Sequence, residues 1–93
     1  MAMITCTKGI AHSMAENSKM NQSVMESLYR FQRGYFGNLT DHDTIINREN
    51  EEARDGMVMG KYHSPEGEIY ITKIFDEPSV NDDIITVMFT NEY

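Results

Sequence analysis

Ninety-three residues, 40% of them hydrophobic and with five Tyr and four Phe, make one domain with a single modest core. That excludes a disordered chain, and one large enough to bury both a cofactor and a substrate pocket. The net charge of −7 is uneven, with residues 1–40 carrying +2 and residues 41–93 carrying −9. An acidic half disfavours direct binding of nucleic acid and favours a protein partner that is basic or itself holds nucleic acid, with plain solubility as the simpler use of the charge.

Met1 to Thr7 lacks the basic lead-in of a secretory signal, no segment reaches the roughly 20 apolar residues of a membrane span, and the lone Cys6 has no internal disulfide partner. A cytoplasmic setting without membrane contact is expected. The eight methionines are expected mainly as fillers of irregular gaps in the core.

In chain order, Met3 to Thr7 reads as a short strand or extended lead-in, and Gly9 to Asn17 as a short helix. Asn17-Ser18 is a break, after which Ser18 or Asn21 can cap a second helix. That helix has Met20, Val24, Leu28 and Phe31 as its apolar stripe with Met25 beside them, and Gln22, Glu26, Arg30 and Arg33 on the opposite face. Gly34 stands where a left-handed cap is wanted, and Gly34-Tyr35-Phe36-Gly37 forms a joint to the next helix, with Phe36 expected inside and Tyr35 outside.

Thr40 is the cap expected for a third helix over Asp41 to Asp55, where Asp41 and Asp43 favour the positive end of the helix dipole. Its apolar stripe is narrow (Ile45, Ile46 and Ala53), its other face is acidic, and Gly56 stops it. From Met57 the period becomes two: a strand to His63, a Ser64-Pro65-Glu66-Gly67 turn, a strand from Glu68 to Phe75, a polar loop through Asp82, and a strand from Asp83 to Thr90. The strands carry apolar residues on both faces, which suits a second layer or a homodimer through the sheet. The expected fold is α+β, with two or three helices on a three- to four-stranded antiparallel meander, the helical part over about 8–55 and the meander over about 57–90.

Chemical motifs are sparse. Asp41-x-Asp43 with Glu52 has the first and last ligands of a calcium loop, but Ile45 and Ile46 stand where an oxygen ligand and a glycine are needed. His12, His42 and His63 have no second ligand at metal-binding spacing, and no phosphate loop or nucleophile elbow occurs. No catalytic, cofactor or metal residue is assigned, and a non-enzymatic protein is expected.

Leu28, Arg30, Gly34 to Gly37, Asn38-Leu39, Asp43, Asn47, Gly56-x-x-x-x-x-Tyr62, Ile69-Tyr70-Ile71-Thr72 and the ending Thr86-Val87-x-Phe89-x-Asn91-Glu92-Tyr93 together resemble a family of small proteins of unknown function from bacterial genomes, plasmids and conjugative elements. The resemblance spans about residues 24–93. Tyr35-Phe36 stands where that family has Asp-Trp, Lys73 to Glu77 replaces an acidic Asp-Arg tract, and the loop from Pro78 to Asp82 is longer. It implies an α+β fold and a mobile-element setting, and no particular activity.

The expected function is therefore a small interaction or regulatory protein of mobile-element type, meeting its partner through Tyr35, Phe36 and the carboxylates Asp41, Asp43, Glu49, Glu51, Glu52 and Asp55. The alternative is an acidic inhibitor of a host nucleic-acid defence system, anti-CRISPR or anti-restriction, with those carboxylates in place of phosphates. A weaker one is a small enzyme using Cys6 or His63.

Overall fold

The computed structural model describes residues 3–39, 41–53, 56–75 and 83–93. The two hydrophobic periods resolve into β1 (Met3–Cys6), α1 (Lys8–Glu16), α2 (Ser18–Gln32), α3 (Asp41–Ala53), β2 (Met57–Tyr62), β3 (Ile69–Ile74) and β4 (Ile84–Phe89), with a last 3-10 turn over Thr90–Glu92. The fold is α+β.

Local chemistry sets the helix ends. Thr7 caps α1 by accepting from the Ile10 amide at 3.4 Å. Asn17, rather than Ser18 or Asn21, caps α2: its backbone is extended while Ser18 is already helical, and its Oδ1 accepts from the amides of Lys19 at 3.0 Å and Met20 at 3.3 Å. At the other end of α2, Gly34 (φ +87°) closes a Schellman turn, in which the Gly34 amide donates to the Phe31 carbonyl and the Tyr35 amide to that of Arg30. The expected Thr40 cap of α3 lies outside the described residues, as do Asp55 and the loop residues 76–82.

The sheet is mixed, with strand order β1-β4-β3-β2. β2, β3 and β4 form the expected antiparallel meander, whereas β1 runs parallel to β4. This corrects the purely antiparallel expectation, and the reason is topological: the whole helical half lies between β1 and β4, ample chain for the crossover that parallel pairing requires. Ile10 of α1 and Met20, Val24, Leu28 and Phe31 of α2 cover one sheet face, packing on Val58, Tyr62, Ile69, Ile71, Ile85 and Val87. On the other face Thr5, Thr86 and Thr72 stand in cross-strand register, and Met3, Ile84 and Ile74 form an adjoining exposed row.

α3 does not pack through its apolar residues. Ile45 and Ile46 are 55% and 39% exposed and Ala53 is exposed, while Asn47 is 4% exposed. The helix lies along the outer edge of β2, where apolar surface is scarce and unpaired backbone groups are plentiful, so amides rather than isoleucines make the contact. Asn47 Nδ2 donates to the Met59 carbonyl at 2.6 Å, the Met59 amide donates back to Asn47 Oδ1 at 3.1 Å, and Asn50 Nδ2 donates to the Met57 carbonyl at 3.1 Å.

Candidate functional site

The joint after α2 completes the cover of that edge. The Lys61 amide donates to the Phe36 carbonyl at 3.0 Å and the Asn38 amide donates to the Lys61 carbonyl at 2.8 Å. Between them Gly37 (φ +73°) passes so close that an added Cβ would lie 1.9 Å from the Lys61 carbonyl oxygen. Phe36 is buried, its ring edge-on to Phe31 at 5.8 Å and 70°. Phe36 thus anchors the joint from within the core, whereas Tyr35 is 63% exposed. The Tyr62 hydroxyl donates to the Tyr35 carbonyl, fixing the backbone of that residue from below. Burial pushes the Tyr62 phenol well above its ordinary range, with the Arg30 guanidinium opposing the shift to a lesser degree.

Tyr35 stands at the rim of an open cleft of about 1020 Å³ between the outer face of α2, the joint and the start of α3. Met25 and Tyr29, 55% and 61% exposed, line the α2 wall, Thr44 the α3 side, and Phe36 and Tyr62 reach the interior. Arg33 stacks its guanidinium 5.3 Å from the Tyr29 ring centroid and donates to the Tyr29 hydroxyl at 3.0 Å, and Arg30 lines the same wall. Next to it, a polar notch of about 180 Å³ takes in Ser23, Asn38, Lys61 and His63. There the His63 ring is hydrogen-bonded to the Asn38 side chain, and Lys61 pairs with Glu68 at 3.6 Å.

The structure sorts the sequence-predicted site residues into three groups. Tyr35 and the start of α3 come together at the cleft. Among the described carboxylates of α3 none lines it: Asp43, Glu49 and Glu52 are exposed, and Glu51 pairs with Lys73 at 3.6 Å, while the Asp41 side chain, like Asp55, lies outside what the structure describes. Cys6, on β1, and His63, just after β2, lie at opposite edges of the sheet. Among the described residues no cluster of three or more His, Cys, Asp or Glu side chains is placed to hold a metal ion, and no helix is long and apolar enough to cross a membrane.

The sequence pattern leaves Tyr29 out of the site, sets Met25 beside the core stripe, and places Arg30 and Arg33 only on the opposite face of α2. The usable signal was a second stripe on α2, with Met25, Tyr29 and Arg33 at successive intervals of four. No protein-family model matches this chain, and neither curated proteins nor solved structures contain a significant match to it.

Proposed function

We infer that the chain is a non-enzymatic interaction module that holds a segment of a partner protein in the cleft between α2, the 34–37 joint and the start of α3. The observation that carries this reading is the convergence of three exposed large side chains, Met25, Tyr29 and Tyr35, on one open cleft. Met, Tyr and Arg are the side chains enriched in protein interfaces, and rigid aromatics deliver contact area at little entropic cost. Tyr35 is held in that way by the Schellman turn and the Tyr62 hydrogen bond. Arg30 and Arg33 outnumber Glu26 in the lining of this cleft, in a chain of net charge −7, so the segment it suits is apolar with carboxylates beside its apolar anchors. A regulatory role within a bacterial mobile element is the setting we propose for it.

A second reading, inhibition of a host nucleic-acid defence protein, draws on the exposed Asp43, Glu49 and Glu52 of α3. It ranks below the first because Arg48 and the exposed Ile45 also lie on the solvent side of that helix, breaking the uniform charge that a phosphate mimic needs.

Display of random peptides against the purified protein separates the two. The cleft reading expects enrichment of peptides that combine aromatic or aliphatic residues with Asp or Glu, whose binding is lost in a folded Tyr29→Ala/Tyr35→Ala variant and weakened by Arg33→Glu. Enriched peptides that bind the double variant as tightly as the parent overturn it. Basic peptides whose binding is lost on Glu49→Lys/Glu52→Lys and untouched by Tyr35→Ala favour the second reading.

A further inference from the structure

The two edges of the sheet are treated differently. At β2 the outward backbone groups of Met57, Met59 and Lys61 are met by Asn50, Asn47 and the 36–38 segment. At β1 the Met3 amide donates to the Asp83 carbonyl at 2.9 Å and the Thr7 amide to that of Val87 at 3.1 Å. Residues 3, 5 and 7 therefore turn their backbone toward β4, and Ile4 and Cys6 turn theirs away from the sheet. All four residues of β1 are exposed, and none is charged or a proline. Apart from its four-residue length, such a strand has neither the charges nor the prolines that usually block edge-to-edge pairing.

We propose that β1 is a self-association edge, at which a second copy of this chain adds its own β1 antiparallel across a two-fold axis at Thr5. The occupant is a second copy because the edge suits its own copy in three respects. With Thr5 opposite the partner's Thr5, Ile4 faces the partner's Cys6 and Cys6 faces the partner's Ile4, so each outward amide and carbonyl finds a mate. The threonine row Thr72, Thr86, Thr5, in which Thr5 and Thr86 Oγ1 atoms already lie 3.1 Å apart, continues through the axis into the same row of the other copy.

The third respect is charge. The edge lies in the half of the chain that carries +2, where two molecules of net charge −7 repel least. A short strand pair is smaller than the roughly 1,600 Å² of a standard interface, so the association is reversible and concentration-dependent.

Sedimentation velocity over a concentration series reads it directly, with a weight-average mass rising from 10.7 kDa toward twice that value. Ile4→Pro removes only an outward amide and leaves the ladder to β4 intact, so this variant keeps its far-UV circular dichroism and stays monomeric over the same range. Independently, Thr5→Cys in a Cys6→Ser background cross-links under mild oxidation, because facing residues of a non-hydrogen-bonded antiparallel pair sit about 4.5 Å apart at Cα, within disulfide reach. Met3→Cys in the same background, four residues out of register with its own copy, does not. A mass fixed at that of the monomer at every concentration overturns the proposal. So does a dimer in which Thr5→Cys fails to cross-link, whether or not Ile4→Pro folds.

Discussion

The outer edges of β2 and β1 show two ways of ending a sheet. β2 is closed by elements that follow α2 in the chain: the 36–38 segment pairs with Lys61, and the amides of Asn47 and Asn50 take the places a fifth strand would fill. Among the described residues β1 has no such cover, and its four residues are exposed. The contrast teaches that the polar side chains of α3 are structural before they are functional. A helix whose inward face is Asn47 and Asn50 contributes directional hydrogen bonds and little apolar burial, so it docks at a strand edge and not on a sheet face. The cleft is a by-product of this arrangement, because the joint and the start of α3 must stand off from α2 to reach Lys61 and Met59.

The largest effect expected on this contrast comes from the anchor of the covered edge. Phe36 packs edge-on to Phe31 within the core, so Phe36→Ala opens a cavity and frees the segment that pairs with Lys61. The expected loss is about 3–5 kcal/mol, the range for truncating a buried aromatic ring. Thermal and urea melts measure it. A melt unchanged by the substitution would return Phe36 to the contact surface and undo the distinction between the anchor and the exposed Tyr35.

Asn47→Ala is expected to cost less, about 2–3 kcal/mol, because it strands one amide and one carbonyl of Met59 that are otherwise paired at 3.1 and 2.6 Å. Hydrogen exchange gives the more specific readout. The Met59 amide, protected in the parent, should exchange early in the variant while Ile71 and Val87 at the sheet centre keep their protection. Unchanged protection at Met59 would mean that the edge is closed by something other than Asn47.

How much of this was legible follows from how local each feature is. The α2 stripe, the Gly34 cap, the buried Phe36 and the hairpin strands are set by neighbours within a few residues, and each stands where periodicity and turn chemistry put it. The partner of β1 is β4, at the far end of the chain, and no local pattern encodes a parallel pairing at that separation. α3 misled because Ile45 and Ile46 look like a core stripe, whereas the contact is carried by Asn47 and Asn50, residue types that a hydrophobicity pattern assigns to solvent. Of the cleft, Tyr35 was readable from its bracketing glycines. Tyr29 was not, because its exposure depends on where the joint and α3 lie, and that placement rests on the same hidden asparagine contacts.

The smallest effect separates the two jobs of Tyr62, which closes the edge from below and fixes the backbone of Tyr35. Tyr62→Phe keeps the ring in the core and removes only the hydrogen bond to the Tyr35 carbonyl, so a loss of about 1 kcal/mol is expected near neutral pH. The same substitution has a signature at alkaline pH. Burial raises the phenol of the folded protein above the ordinary value near 10, so the folded chain keeps this proton where the unfolded chain releases it. The folded state then binds more protons than the unfolded one, and stability must fall as pH rises above about 10. In the Phe variant that share of the alkaline slope disappears, and the two stability curves converge as pH rises. Curves that stay parallel from neutral pH to pH 11 would show that burial does not hold the Tyr62 proton, and curves that coincide throughout would show that the hydrogen bond to Tyr35 does not stabilise the β2 edge either.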